Sequence, residues 1–93
     1  MKKLITEIVG GESYKYYPLG KYSVKAPEVC GGRPTFKYTR VEMTFILNLL
    51  ADGESIDDLA AAYEGRITHE AILEAIRLVT SKYSSTLPEL ETA

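Results

Sequence analysis

The chain changes character at the stretch Gly31-Gly32-Arg33-Pro34-Thr35-Phe36-Lys37-Tyr38-Thr39-Arg40-Val41. The sequence before it is aromatic, basic and rich in strand-forming residues, and the sequence after it is acidic with a helical periodicity. The two glycines can adopt positive φ angles, while the proline fixes its own φ and restricts the residue before it. We interpret the stretch as the hinge of the fold. Because three cations are interleaved here with two aromatic rings, it is also the first place to look for binding.

Three short strand patterns precede the hinge. Residues 4–9 are β-branched and apolar, Gly10-Gly11 offers a turn, and residues 13–17 alternate well enough to complete a hairpin. Residues 21–25 are a third candidate strand. Cross-strand packing explains the tyrosines of this region, and stacking on nucleic-acid bases is the alternative.

Three amphipathic helices are predicted after the hinge, each from apolar residues that recur at helical spacing. The first is expected from about Glu42 to Ala51. The second begins after the N-cap Ser55 and is stopped by Gly65, and the third begins after the N-cap Thr68 and ends near Tyr83.

These patterns predict an α+β fold, mainly α, in a single domain of residues 1–93. The expectation is a short N-terminal β-hairpin or small antiparallel sheet within a basic, aromatic segment, residues 1–41. A three-helix, helix-turn-helix-like (homeodomain-like) bundle follows in residues 42–83, and residues 84–93 are expected to form a flexible tail. The core of a chain of 93 residues is small, so dimerisation would stabilise it.

The net charge of −2 conceals an asymmetry along the chain. Residues 1–41 hold eight Lys or Arg and three Glu, which gives +5, whereas residues 42–93 hold three Lys or Arg and ten Asp or Glu, which gives −7. Such a split predicts that one end meets a polyanion, and an ordinary solvated surface is the alternative.

Several classes of function are disfavoured by the composition. No apolar run is long enough for a membrane span and no apolar signal-peptide core follows the N-terminal lysines, so a cytoplasmic protein is predicted. Cys30 is the only cysteine, which excludes an intrachain disulfide and a cysteine-based zinc site. We expect no enzyme, catalytic residue, metal or cofactor, because the single histidine has no recognisable nucleophile or carboxylate cluster with it.

The second and third helices, with the glycine-containing connection between them, resemble a helix-turn-helix in pattern. The turn looks about two residues longer than usual. The outward positions of the third helix are expected to be His69, Glu70, Leu73, Glu74 and Arg77. Two glutamates would repel DNA phosphates, so this helix alone is a poor DNA reader. A packing and dimerisation unit is therefore an equal interpretation of the three helices.

The candidate DNA contacts are cations of the hinge and of the helical part, together with the histidine. They are Arg33, Lys37, Arg40, Arg66, His69 and Arg77. Arg40 has a second interpretation, in which it anchors the loop through hydrogen bonds to backbone carbonyls or to an acidic residue of the helices.

Residues 27–41, with Pro27, Gly31-Gly32-Arg33-Pro34 and Thr39-Arg40-Val41, resemble the signature of the domain of unknown function 433 family. Residues 49–59 and parts of the later helices resemble its helical region. The resemblance implies a small bacterial-type domain with a short β segment and a helix-turn-helix-like part. One position departs from the signature, because Tyr38 stands where the family usually has glycine. A tyrosine there would strain a turn that needs positive φ, or signal a different turn.

The resemblance also implies a function. Many members are regarded as antitoxins of the VapB type, which dimerise, repress their own promoter and block a PIN-like ribonuclease toxin. We therefore expect a non-enzymatic, homodimeric antitoxin-like protein that binds operator DNA through the three helices and the Gly-Gly-Arg-Pro segment. Leu87 and Leu90 of the tail are candidate toxin contacts. The alternative is a dimeric interaction module that binds no nucleic acid.

Overall fold

Four antiparallel strands form the N-terminal part of the chain in the computed structural model, which describes residues 3–86. The strands are β1 (Ile5–Val9), β2 (Glu12–Pro18), β3 (Ser23–Lys25) and β4 (Pro34–Phe36). They pair in the order β1-β2-β3-β4, so each strand lies beside the one that precedes it in sequence. The expectation of a mainly α fold with a short hairpin is therefore wrong, because a complete four-stranded sheet precedes the helices.

The β1–β2 hairpin follows directly from its sequence. Val9 pairs with Glu12 across a two-residue loop in which Gly10 and Gly11 have φ angles of 60° and 83°. Positive φ at both central residues matches the right-handed twist of the flanking strands. The predicted turn is thus confirmed, and it fixes the register that pairs Ile5 with Tyr16.

Strand β4 is the element that the sequence pattern did not reveal. It has three residues, which is too short for an alternation of polar and apolar side chains to be recognised. Pro34 occupies its first position, where a missing N–H is tolerated. The strand is fixed by its backbone pairing instead. It pairs with β3 on one side, and on the other Thr35 bridges to Glu42 and the N–H of Phe36 donates to the carbonyl of Val41 at 3.1 Å.

Three helices follow the sheet, as the periodicity predicted. They are α1 (Met43–Ala51), α2 (Ile56–Ala62) and α3 (His69–Thr86). Both predicted N-caps are confirmed: Ser55 Oγ accepts from the N–H of Asp58 at 3.0 Å, and Thr68 Oγ1 accepts from the N–H of Ala71 at 3.1 Å. Helix α3 continues to Thr86, so residues 84–86, predicted to belong to the tail, are helical.

The helices pack against the far edge of the sheet. The larger core cluster joins Phe36 of β4 to buried side chains of all three helices and of the α2–α3 connection, which are Met43, Ile46, Leu59, Ile67, Ala71, Ile72 and Ala75. A smaller cluster of Tyr16, Val24 and Ala26 lies within the sheet. The β1–β2 hairpin is consequently attached to the helices through the rest of the sheet.

One side chain of α3 reaches across to the sheet. The carboxylate of Glu74 accepts hydrogen bonds from the backbone N–H groups of Lys21 at 2.7 Å and Tyr22 at 2.8 Å, in the loop between β2 and β3. A Cβ on Gly20 would lie 2.6 Å from the Glu74 carboxyl carbon, so a side chain at this loop position would displace the Glu74 carboxylate. The prediction that Glu74 points outward is therefore wrong. It holds the loop against the helix.

Replacing Glu74 by Gln should destabilise the protein by about 1–2 kcal/mol. The amide keeps one acceptor oxygen but loses the charge and turns a donor toward a backbone N–H, and hydrogen bonds to charged groups contribute about 1.5–3 kcal/mol each. Urea denaturation followed by circular dichroism measures the difference. The control is Glu70→Gln on the exposed side of the same helix, with an expected change within about 0.5 kcal/mol. Equal effects of the two variants would show that the Glu74 contact does not hold the loop.

Candidate functional site

The hinge begins with two glycines and an arginine that has a partner. Gly31 and Gly32 have φ angles of 65° and 81°, as the sequence predicted for this position. Arg33 then donates from Nε to Glu42 Oε1 at 2.8 Å and from Nη2 to Glu42 Oε2 at 3.2 Å. This bidentate pair lowers the pKa of Glu42 and raises that of Arg33. Arg33 is thus occupied in tying the hinge to the residue before α1.

The side chain of Lys37 also has partners within the chain. Its ammonium lies 4.9 Å from the ring centre of Tyr16 and 5.0 Å from that of Tyr38, and Nζ is 3.8 Å from Glu7 Oε2. The hydroxyl of Tyr16 is the largest influence that raises the pKa of Lys37. Lys37 therefore joins the hinge to the β1–β2 hairpin, and its charge is compensated locally.

Tyr38 adopts a left-handed backbone conformation, the strained turn that the sequence left open for this position. Its φ angle is 66°, in the left-handed region that costs energy for a residue with a side chain. Three contacts offset this strain. The Tyr38 N–H donates to Tyr14 Oη at 3.0 Å, its hydroxyl donates to Glu7 Oε1 at 2.6 Å, and its ring centre is 5.4 Å from that of Tyr14. Tyr38 therefore docks the hairpin onto the hinge.

Glu7 is the shared acceptor of this contact. It accepts hydrogen bonds from the hydroxyls of both Tyr16 and Tyr38. The bond from Tyr16 is the largest cause of a lowered pKa of Glu7, followed by the bond from Tyr38. The same contact raises the pKa of Tyr38.

A cleft of about 460 Å³ opens between the hairpin, the hinge and the α2–α3 connection. Two arginines, three tyrosines, three valines and a threonine line it: Val9, Tyr14, Val29, Tyr38, Thr39, Arg40, Val41, Tyr63 and Arg66. The described lining contains no carboxylate. The exposed side chains of Arg40 and Arg66 make no hydrogen bond or ion pair with any residue that the structure describes. Two arginines without a carboxylate partner among the described residues therefore line the cleft together with three tyrosines.

Local hydrogen bonds fix the backbone at both arginines. Thr39 Oγ1 donates to the Phe36 carbonyl at 2.8 Å and accepts from the Val41 N–H at 3.0 Å, and Cys30 Sγ donates to the carbonyl of Arg40 at 3.3 Å. On the other wall, the N–H of Arg66 donates to the Tyr63 carbonyl at 3.0 Å. Arg40 thus anchors the loop through its backbone, and its side chain does not contribute to that anchoring.

The remaining predicted site residues lie away from the cleft lining. His69 Nε2 is 3.5 Å from Asp57 Oδ1, and both side chains are exposed at the starts of α3 and α2. Arg77 is exposed two turns further along α3. Leu87 and Leu90 fall outside the described residues.

Sequence reasoning named both cleft arginines but did not bring them together. It also did not assign Tyr14 or Tyr63 to a binding site with them. The sequence signal for this site is the interleaving of tyrosines and cations before and within the hinge, a pattern that proteins also use to stack on nucleic-acid bases.

Metal-binding groups and membrane-spanning helices are two further features that bear on function. Within residues 3–86, no group of three His, Cys, Asp or Glu side chains is placed to hold a metal ion. Across the same residues, every helix is too short or too polar to cross a membrane.

The comparison with protein families found a match. The model of a family described as "Protein of unknown function (DUF433)" matches residues 24–78. The match includes the hinge and the helices up to the middle of α3, and it excludes the β1–β2 hairpin. Neither the search of curated proteins nor the search of solved structures found a match.

The Glu7 contact predicts a specific pH dependence. Because folding lowers the pKa of Glu7 below 4.5, its carboxylate stabilises the folded state at pH values above 4.5, and this contribution is lost as the pH falls through the folded-state pKa. The free energy of unfolding of wild type should therefore exceed that of Glu7→Gln near pH 7, with the gap closing below pH 4.5. Urea denaturation at several pH values measures it, with Glu12→Gln on β2 as the control. A gap that stays constant from pH 7 to the acid limit would contradict the assignment.

Proposed function

The chain belongs to the family described as Protein of unknown function (DUF433), and we propose that it is a non-enzymatic, antitoxin-like protein that binds DNA and neutralises a partner ribonuclease. The observation that carries the DNA-binding part is the cleft with Arg40 and Arg66. Guanidinium groups without a carboxylate partner are the donors best suited to phosphate oxygens.

The contacts of the other cations support this choice of site. Arg33 and Lys37 are compensated by Glu42 and Glu7, so they contribute little attraction to a polyanion. Arg40 and Arg66 are exposed, lie on two walls of one cleft, and have no such partner among the described residues. Of the candidate cations Arg33, Lys37, Arg40 and Arg66, the last two are therefore the ones that we assign to DNA.

The third helix can assist this binding more readily than its sequence indicated. Glu74 is engaged with the β2–β3 loop, so its charge is held away from the exposed side of α3. Arg77 remains exposed on the same helix and is available for an additional phosphate contact. His69 is also exposed but faces Asp57, and Glu70 is the exposed glutamate of this part of the helix. The connection between α2 and α3 spans residues 63–68, which is longer than in most helix-turn-helix units. We accordingly assign base reading to neither helix.

Toxin neutralisation and autoregulation rest on the family resemblance, and the proposed cytoplasmic location rests on the composition of the chain. The proposed partner is a PIN-like ribonuclease, and the proposed DNA is the operator of the chain's own promoter. Co-expression with the product of the adjacent gene, followed by size exclusion, tests the toxin partner. A nuclease that co-elutes would support it, and the absence of any co-eluting protein would remove the antitoxin part.

A second candidate function is a dimeric interaction module without nucleic-acid binding, and strand β1 favours it. β1 lies at the edge of the sheet, and its apolar side chains are unusually exposed, with Ile8 at 72%. An edge strand with exposed apolar side chains is a template for pairing with another strand. We propose a second copy of the chain as the occupant, with two β1 strands paired antiparallel, which also accounts for the homodimer of the first proposal.

Removing both cleft arginines should weaken binding to an operator-length duplex from the chain's upstream region. For Arg40→Ala with Arg66→Ala, the slope of log affinity against log salt should become shallower by about 2, because each lost phosphate contact removes about 0.9. Fluorescence anisotropy at several salt concentrations measures it. The control removes two exposed lysines of the sheet, Lys15→Ala with Lys25→Ala, and has the same net charge. If both double variants change the slope equally, the cleft has no particular role. If wild type shows no salt-dependent binding, the DNA part is wrong.

The dimer through β1 predicts that Ile8→Lys is monomeric where wild type is dimeric. A lysine on an edge strand blocks pairing between edges because its charge would have to be desolvated. Light scattering after size exclusion gives the mass. Phe45→Lys is the control, since Phe45 is also exposed, at 51%, but lies on α1. A monomeric wild type, or a dimer that survives Ile8→Lys but not Phe45→Lys, would exclude β1 as the interface.

A further inference from the structure

We propose that the cleft receives an unstacked nucleotide of a single strand, with its phosphate on Arg40 and Arg66 and its base against the ring of Tyr38. This inference rests on the proposed nucleic-acid binding and deepens it by naming the ligand class. A duplex offers phosphates to the two arginines but keeps its bases stacked inside. A single strand offers phosphate and base together, so the cleft favours the single strand.

The size of the cleft fits one nucleotide better than it fits a helix of DNA. A volume of about 460 Å³ falls in the range of sites that enclose small organic ligands, about 300–1,000 Å³. A double helix can approach such a concavity only at its rim. An extruded nucleotide can enter it and bury its base.

The chemistry of the lining matches the two halves of a nucleotide. Arg40 and Arg66 supply the donors for a phosphate, and Tyr14, Tyr38 and Tyr63 supply aromatic surface for a base. The valines add apolar walls, and the lining contains no described carboxylate that would repel the phosphate. Single-strand binding proteins combine the same two elements, a positive groove and stacking rings, and tolerate any base because each has an aromatic face.

Tyr38 is held ready for stacking before any ligand arrives. Its backbone is fixed at a φ of 66°, its hydroxyl is bound to Glu7 and its N–H to Tyr14. The Lys37 ammonium and the Tyr14 ring also lie beside its ring, yet the residue is 54% exposed, which leaves ring surface open to a base. A ring that is already immobilised loses little conformational freedom on binding. This gives a reason for the strained tyrosine at a position where glycine would be relaxed.

Part of the cleft lining belongs to the segment that the family model does not cover. Val9 and Tyr14 come from the β1–β2 hairpin, which precedes residue 24. Tyr38 is the residue that binds this hairpin to the hinge. The nucleotide site is therefore a property of this chain's hairpin together with its tyrosine, added to the arginines of the matched region.

The test compares 5′-phosphorylated decathymidine with a duplex of the same length and with inorganic phosphate, by anisotropy and competition on the full chain. We expect the single strand to bind about tenfold more tightly than the duplex, since stacking contributes a factor of this order. Tyr38→Leu should abolish the preference, and Tyr38→Phe, which keeps the ring, should retain it. Circular dichroism checks that both variants are folded.

A measurement on wild type keeps the test independent of the variants. In proton NMR, decathymidine should shift the Tyr38 ring resonances upfield through the ring current of a stacked base, while inorganic phosphate should not. If duplex and single strand bind equally and Tyr38→Leu changes neither, the inference fails and the proposed function stands. If phosphate competes as well as decathymidine, the cleft is a simple anion site and the inference is wrong. If neither nucleic acid binds, both proposals fail.

Discussion

The arrangement of this molecule depends on the carboxylate of Glu74, which holds two backbone N–H groups of the β2–β3 loop against α3. The loop passes this constraint to the hinge, because the carbonyl of Tyr22 accepts from the N–H of Lys37 at 2.8 Å. Lys37 and Tyr38 then carry the β1–β2 hairpin through their contacts with Glu7 and Tyr14. A side chain in the middle of α3 thus helps to position the wall of a cleft that contains none of its own atoms.

The hinge joins two parts of the chain, and only one of them falls within the family match. Residues 24–78 match a family, while the β1–β2 hairpin does not fall within that match. Tyr38 connects them at the cost of a left-handed backbone. Carboxylates of the same chain compensate the charges of Lys37 and Arg33 in the hinge. The excess positive charge of residues 1–41 is therefore partly compensated within the hinge, and two arginines without a carboxylate partner among the described residues line the cleft.

Sequence reasoning succeeded where the deciding interaction is local. The Gly10-Gly11 turn and the Ser55 and Thr68 caps are each fixed by residues within three or four positions, and all were predicted. It failed where the partner is distant in sequence. Strand β4 has too few residues to show a period, and the partners of Glu74 lie 52 and 53 positions away. Helical periodicity could place Glu74 beside Arg77 but could not reveal that a loop of the sheet lies against it.

The candidate site also depends on partners that are distant in sequence. Arg33, Lys37, Arg40 and Arg66 looked alike in sequence, and their difference depends on whether a carboxylate lies within reach in the folded chain. Glu42 and Glu7 compensate the first two, and the last two line one cleft because the hinge and the α2–α3 connection meet there. Interleaved tyrosines were a usable signal for this site, but only the fold shows which rings share it.

Chemical-shift mapping tests the central claim, that this cleft is the nucleic-acid interface, most directly. Amide resonances of ¹⁵N-labelled protein are followed while a duplex from the chain's upstream region is added. The largest shifts should fall on residues 38–41 and 63–66, which line the cleft from the hinge and from the α2–α3 connection. Shifts confined to the exposed side of α3, around His69 and Arg77, or no shifts at all, would contradict it.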